Sequence, residues 1–229
     1  MTTGVSFLRH AGWVDQSSFK DTIHIVGCGA VGSNLALILA KMGVTNFCLW
    51  DLDRVEPHNL PNQAYLPQHI GHKKTEALAS VLKEFNPEIE ITIHDEFFTE
   101  ETTTDIEGVL VIATDSMRSR KDLAAAFTLN TNITMVFEVR LGFDYGEVHI
   151  IDPLDFTQCD SFANALLDDD QVPEGPCNQR ICTTLVLMTS AYAAHQLCAM
   201  YAAQAKNEEW EYKRKTMFEM SPLLQTFSL

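Results

Sequence analysis

The stretch that most constrains this chain is IHIVGCGAVGSNLALILAKMG, Ile23 to Gly43. A short apolar run ends in Gly27, Gly29 and Gly32, spaced G-x-G-x-x-G, and a helical apolar pattern follows directly. Glycines at that spacing permit a tight turn, a close approach of backbone to a ligand and close packing of helix on strand. Strand, glycine turn and helix in succession predict a βαβ unit, and with it a parallel sheet covered by helices. The same turn serves hydride-transferring enzymes and enzymes that bind ATP to activate carboxylates. The turn alone does not choose between them.

The alternation continues through the first 150 residues. Strands are predicted at Thr22–Val26, Asn46–Asp51, Ile89–His94, Gly108–Thr114 and Ile133–Val139, with helices over Val31–Met42, Lys73–Phe85 and Met117–Leu129. Continuous apolar runs such as GVLVIAT suit strands buried on both faces. A further strand, Glu147–Ile151, follows the turn signal GFDYG, so antiparallel strands are expected at that end. The fold class is therefore α/β, a Rossmann-like, doubly wound, mostly parallel sheet. Asp152 to Asn178 reads as irregular, with DDD at Asp168–Asp170 and PEGP after it, too long for an ordinary connection. A long helix from about Gln179 to Ala205 follows, and the tail EYKRKTMFEMSPLLQTFSL is expected to add a strand. With no interdomain linker, the 229 residues read as one domain, a nucleotide-binding core at 19–150 and the loop, helix and tail at 151–229.

Composition narrows the partners. The net charge of −15 argues against nucleic acid and anionic membranes, which demand basic patches, and suits an acidic, soluble surface. The start MTTGVSFLRHAGW lacks a basic region followed by an apolar core, so no signal peptide is expected. The most apolar segment, Ile181 to Ala203, is interrupted by Thr183, Thr184, Thr189, His195 and Gln196, and reads as a buried or interface helix rather than a membrane span. Six scattered cysteines, Cys28, Cys48, Cys159, Cys177, Cys182 and Cys198, read as reduced thiols in a cytoplasmic protein.

The chemistry follows from what comes after the turn. A helix N-terminus behind the glycines supplies free N–H donors and partial positive charge for phosphate. Asp51 ends the second strand about 20 residues on, where an acid accepts from ribose hydroxyls. The next segment, LWDLDRVEPHNLPNQAYLPQHIGHKKTEAL, holds Asp51, Asp53, a polar loop with Asn59, Asn62 and Gln63, and Lys74 at a helix start. A hydride-transfer site has no need of that set. Cleaving ATP requires donors around the triphosphate, a cation on the phosphates and a carboxylate for Mg²⁺. Asp115, in ATDSMRSR, falls at the carboxyl edge of the sheet, placed for Mg²⁺ or a phosphate-linked water. Each has a plainer reading: Lys74 as a solvated helix lysine, Asp53 in a turn, Asp115 as a helix cap, Asn59 satisfying loop backbone.

Taken together, GCGAVGSN, DLDRVEPHNLPNQ, IGHKKTEAL, ATDSMRSR, GFDYGEVHII and the late apolar helix resemble the ubiquitin-activating-enzyme-like (E1-like) adenylyltransferases, the family of ThiF, MoeB and HesA. The resemblance covers roughly Phe19 to Tyr201. It implies that ATP and Mg²⁺ are used to adenylate the C-terminal carboxylate of a small ubiquitin-like protein or peptide, with release of pyrophosphate. It places Gly27, Gly29 and Gly32 around the nucleotide, Asp51 on the ribose, and Asp53, Asn59, Asn62 and Gln63 among the nucleotide contacts. Lys74 would neutralise phosphate charge, Asp115 would hold Mg²⁺ and orient the reacting groups, and Arg120 would be structural. It also favours a homodimer, with Leu185, Val186, Ala191, Ala194, Leu197, Cys198 and Tyr201 covering sheet and partner.

The departures are specific. The family's N-L-N-R-Q loop reads NLPNQ here, so Asn62 stands in place of an arginine. The N-terminal R-Y-x-R-Q motif is absent, leaving Arg9 as the candidate for an arginine reaching a neighbouring subunit. Paired C-x-x-C motifs are missing, and no zinc site is expected, with His149 and His195 as ordinary sheet and helix histidines. Cys177, just before the late helix and near Arg180, is the first candidate acyl acceptor or persulfide carrier, Cys159 the second; Cys182 reads as buried, and Cys28 as filler in the turn. No ubiquitin-fold, rhodanese or cysteine domain is recognised, which suits a compact prokaryotic or phage-type member. Two alternatives stay open: a catalytically weakened E1-like binding or scaffold subunit, motivated by Asn62, and a nicotinamide-dependent oxidoreductase, motivated by the turn and Asp51.

Overall fold

The computed structural model describes residues 4–96, 98, 106–142, 144–167, 182–220 and 225–228. In chain order the elements are β1 (Ile23–Val26), α1 (Ala30–Met42), β2 (Asn46–Trp50), α2 (Lys74–Phe85), β3 (Glu90–His94), β4 (Gly108–Ile112), α3 (Met117–Phe127), β5 (Ile133–Leu141), β6 (Tyr145–Ile151), α4 (Phe156–Asn164), α5 (Thr183–Lys206), β7 (Lys215–Glu219) and β8 (Gln225–Ser228). The strands form one sheet in the order β3-β2-β1-β4-β5-β6-β7-β8. The first five are parallel, and β6, β7 and β8 continue the sheet antiparallel. This is the doubly wound, mostly parallel sheet expected from the sequence, with antiparallel strands at one end.

Strand periodicity sorts the side chains into two cores. Ile23, Ile25, Phe47, Leu49, Val109 and Val111 join a core with α1, α2 and α5 through Leu35, Leu39, Leu78, Leu82, Leu185 and Leu197. The residues between them, including Val26, Cys48, Trp50, Leu110 and Ile112, join α3 and α4 through Leu123, Phe127 and Phe162. All five residues of β4 are buried, as a strand covered on both faces must be. α1 stops at Gly43, whose φ of 107° and N–H bond to Ala40 close the last turn.

Two expectations need correction. The Asp152–Asn178 stretch is not wholly irregular, because α4 lies within it. Asp155 caps α4 by accepting from the Gln158 N–H, Cys159 and Phe162 bury one face, and Leu166 just past the helix joins the same core. The tail adds two strands rather than one. In β7, buried Thr216 and Phe218 alternate with less buried neighbours, and β8 pairs along it. Residues 168–181, including DDD and PEGP, lie outside the described residues.

α5 packs along α1, with the Ser190 hydroxyl 3.4 Å from the Val31 carbonyl oxygen. Of the residues expected to face a partner, Leu185, Val186, Ala194, Leu197, Cys198 and Tyr201 are buried within the chain itself. Of that expected set Ala191 is exposed, and Leu187 and His195, outside that expectation, share the outer face, His195 stacked on Trp13 with centroids 4.8 Å apart. No described helix is long and apolar enough to cross a membrane.

β1 sits between β2 and β4, so the chain leaves its carboxyl end in one direction and that of β4 in the other. Ligands of open α/β sheets bind in the crevice this reversal opens.

Candidate active site

The glycine turn fills one wall of that crevice. Gly27 has φ of 95° and donates its N–H to the Trp50 carbonyl oxygen at 2.8 Å. A Cβ on Gly27 would fall 2.7 Å from the Ala113 carbonyl oxygen, and one on Gly32 would fall 1.9 Å from that of Gly27. Those two glycines are demanded by the chain's own packing. Gly29 is different: a Cβ there would meet nothing within 4 Å. It opens onto free space at the start of α1, for which it is the N-cap without a side-chain cap bond. The donors of a first helical turn and the positive end of the helix dipole therefore begin beside open space, which suits an anion.

Carboxylates gather beside it. Asp51 Oδ2 accepts from the Cys28 N–H at 2.7 Å and Oδ1 from the Asp53 N–H at 2.8 Å, so Asp51 braces the turn. Burial pushes its pKa up, against the opposing pull of Lys74 and of those two N–H groups. Lys74, the first residue of α2, has a side chain only 11% exposed and donates to Asp53 Oδ2 at 2.7 Å. Burial alone would lower its pKa, but Asp51, Asp53 and Asp115 outweigh that effect and hold it raised, so the ammonium stays charged. Asp53 is 70% exposed. Asp115 is also exposed, between β4 and the α3 cap Ser116. Among the described residues, three carboxylates are set around this one ammonium, leaving two negative charges in excess.

The polar loop closes the other side. Asn59 is buried, and its Oδ1 accepts from the Glu56 N–H at 2.8 Å, so this oxygen serves the loop backbone, the plainer of its two readings. Asn34, from the first turns of α1, donates to the Asn62 carbonyl oxygen at 2.9 Å, and Ser33 Oγ accepts from the Ala64 N–H at 3.0 Å. The side-chain oxygens of Asn62 and Gln63 are buried without a hydrogen-bond partner among the described residues. Each such orphan costs about 1–3 kcal/mol until a donor reaches it.

Residues 8–228 match the model of the ThiF family. The chain belongs to the ThiF family. Among curated proteins it is 29% identical over 167 residues to the sulfur carrier protein ThiS adenylyltransferase of Escherichia coli (strain K12), a match covering 71% of this chain and 64% of that protein. It is 35% identical over 82 residues to ubiquitin-like modifier-activating enzyme 5 of Caenorhabditis briggsae, covering 35% of this chain and 19% of that protein. It thus spans less than two thirds of either relative. In fold it is similar to E. coli MccB solved with ATP, at a TM-score of 0.70 and 15% identity over 93% of this chain and 65% of the other. It is likewise similar to the E. coli tRNA N6-threonylcarbamoyladenosine dehydratase TcdA, at 0.65 and 21% identity over 84% of this chain and 91% of the other.

Within this ThiF-family chain, the structure brings Gly27, Gly29, Gly32, Asp51, Asp53, Lys74 and Asp115 to one edge of the sheet, with Asn62 and Gln63 in the adjoining loop. Arg120 is elsewhere occupied, its Nε 3.0 Å from Glu138 Oε1 in the interior. Cys177 and Arg180 lie outside the described residues. Cys159 is not at the start of a loop but buried in α4, and burial raises its pKa. Cys182, expected to be buried, is exposed as the N-cap of α5. The Thr184 hydroxyl, 2.9 Å away, and then the N–H groups at the start of α5 lower its pKa. Thr183 donates to the Pro61 carbonyl oxygen at 3.0 Å, fastening this end of α5 to the polar loop. Periodicity gave the helix but not where its inner face begins; a cysteine just before a helix start is the signal that points to it.

Proposed function

We propose that this chain binds ATP with Mg²⁺ along the glycine turn and adenylates the C-terminal carboxylate of a small ubiquitin-like protein or peptide, releasing pyrophosphate. The observation that carries this reading is Lys74, a buried ammonium held by Asp53 and facing Asp51 and Asp115 beside the open Gly29. The residues fit such a ligand: Gly29 leaves space for phosphate against the α1 N-terminus, and the carboxylate excess matches a divalent cation. Among the described residues no three His, Cys, Asp or Glu side chains gather at metal-ligand spacing. Mg²⁺ suits that, since it takes one or two carboxylates and completes its shell with phosphate and water. Bound together, ATP and the metal supply an electrophilic α-phosphorus and a stabilised leaving group.

The chain's own groups do the positioning. Backbone N–H groups at the turn grip phosphate, Lys74 neutralises its charge, and Asp115 holds the metal and orients the reacting groups. A carboxylate nucleophile has no proton to lose, so alignment and charge neutralisation carry the catalysis. The substrate class follows the relatives, whose names specify a ubiquitin-like modifier and the sulfur carrier ThiS. ATP–pyrophosphate exchange, lost in Asp115→Ala and reduced in Lys74→Ala, tests the reading; equal ATP–Mg²⁺ binding by wild type and Asp115→Ala overturns it.

Asn62, neutral where the family pattern has an arginine, favours a second reading as a binding subunit completed by a partner's cation. Stable partner binding without exchange activity selects it. We place the protein in the cytoplasm as a homodimer joined through the outer face of α5. No formal charge occurs from Thr183 to Ala205, whereas the net charge of −15 repels a second copy elsewhere. Sedimentation of Leu187→Asp against wild type tests that face.

A further inference from the structure

Tyr65 lies beneath the site, buried, with its hydroxyl 2.6 Å from the Cys28 carbonyl oxygen and 3.2 Å from that of Lys74. Cys28 is the middle residue of Gly27-Cys28-Gly29, and the Asp51 carboxylate grips it from its other side through the N–H. The peptide joining Cys28 to Gly29 is planar and trans, so its C=O and N–H point in opposite directions. Holding the carbonyl on Tyr65 therefore turns the Gly29 N–H the opposite way, at a residue where a Cβ would meet nothing within 4 Å. Glycine offers little resistance to the opposite orientation of that peptide, because it populates either sign of φ with comparable ease. The orientation must come from something outside the turn.

We propose that Tyr65 is a positioning residue that aims the Gly29 N–H into the phosphate space and ties that aim to the start of α2, where Lys74 sits. The proposal rests on the nucleotide reading above and goes beyond it by assigning the residue that sets the donor's direction. Tyr65 reaches this position because its own loop is fastened to α1, through Ala64 N–H to Ser33 Oγ and Asn34 Nδ2 to the Asn62 carbonyl. Burial keeps the phenol protonated, so the hydroxyl stays a donor. Hydrogen bonds thus join turn, loop and the Lys74 backbone.

The test compares Tyr65→Phe with Tyr201→Phe. The second variant removes a hydroxyl of the same kind, bonded to Asp21 at 2.8 Å near the far end of α5. Protein labelled with ¹⁵N-glycine gives eleven backbone probes, Gly29 among them. Without nucleotide, the Gly29 amide resonance shifts and broadens in Tyr65→Phe and stays in place in Tyr201→Phe. With ATP–Mg²⁺, the Kd of Tyr65→Phe rises about five- to tenfold over that of Tyr201→Phe. An unmoved Gly29 resonance, or equal affinity in the two variants, overturns the proposal. If wild type binds no ATP, the adenylation reading falls, and the Gly29 resonance alone decides the tether. Should Tyr65→Phe fail to fold, uniform 3-fluorotyrosine labelling of wild type replaces it. The more acidic phenol donates more strongly and must shift the Gly29 resonance, and no shift overturns the proposal.

Discussion

Two charged clusters lie on the same sheet and are built in opposite ways. At the edge holding the glycine turn, Asp51, Asp53 and Asp115 lie around Lys74, and two of the three carboxylates are exposed. In the interior beyond α3, Glu138 is fully buried, with Arg120 Nε at 3.0 Å and Arg140 meeting both its oxygens at 3.0 Å. Beside it Glu147 takes His149 at 3.0 Å and Lys215 at 2.9 Å. In the inner cluster each acid is met by at least two basic partners, as buried charge must be. In the outer cluster three acids share one lysine among the described residues. On the nucleotide reading proposed above, the outer acids serve a cation from outside, and that difference separates a brace from a site.

The contrast predicts opposite phenotypes. Glu138→Ala removes the buried carboxylate that Arg120 and Arg140 share and costs about 3–5 kcal/mol of stability in urea unfolding. A loss under about 1 kcal/mol breaks the contrast by showing that the inner network is not closed. Asp115→Ala does the reverse: pyrophosphate exchange falls about 10²-fold or more, while the melting temperature stays within about 2 °C of wild type. Lys74→Ala follows with a smaller fall of about tenfold, since the turn's N–H groups still hold phosphate. Comparable melting losses in Asp115→Ala and Glu138→Ala would mean that both clusters are structural.

A smaller effect sharpens the inner cluster. Burial alone would raise the Glu147 pKa, but His149 and Lys215 outweigh it and hold it at about 2, well below the usual carboxylate value. A depressed carboxylate stabilises the fold above its unfolded pKa, and that contribution is lost as pH falls from about 4.5 toward about 2. Glu147→Gln has nothing to titrate there. Its melting temperature therefore falls less than that of wild type between pH 5 and pH 2, by a few °C. The smallest effect concerns thiols. Cys182, exposed and acidified at the start of α5, alkylates before Cys28, Cys48 and Cys198, the last two pushed up to about 12 by burial. Time-resolved iodoacetamide labelling read by peptide mass spectrometry checks that order.

Much of the fold was legible because its signals are local. Buried parallel strands such as Gly108–Ile112 read as unbroken apolar runs, and the glycines fix where β1 must give way to α1. α4 was harder to see, because three apolar residues at helical spacing stand among Asp, Thr, Gln, Ser and Asn that read equally well as loop. The same distinction divides the site. The glycines, the aspartates and Lys74 belong to short motifs, and the structure gathers them at one edge. Tyr65 announces nothing in sequence, since its hydroxyl meets a carbonyl 37 residues away and only folding brings them together. The exposure of Cys182 and the commitment of the Asn59 oxygen to Glu56 are likewise facts about neighbours, which spacing does not encode.

The packing of α5 along α1 sets the order of synthesis against the order of use. By Asp115 the ribosome has delivered the glycines, the aspartates and the lysine gathered at this edge of the sheet. The flank of α1 that α5 covers stays bare until the chain has grown past Thr183. A nascent chain halted between those points carries the whole glycine, aspartate and lysine set on a helix with an uncovered apolar side, the kind of transiently exposed surface that favours aggregation.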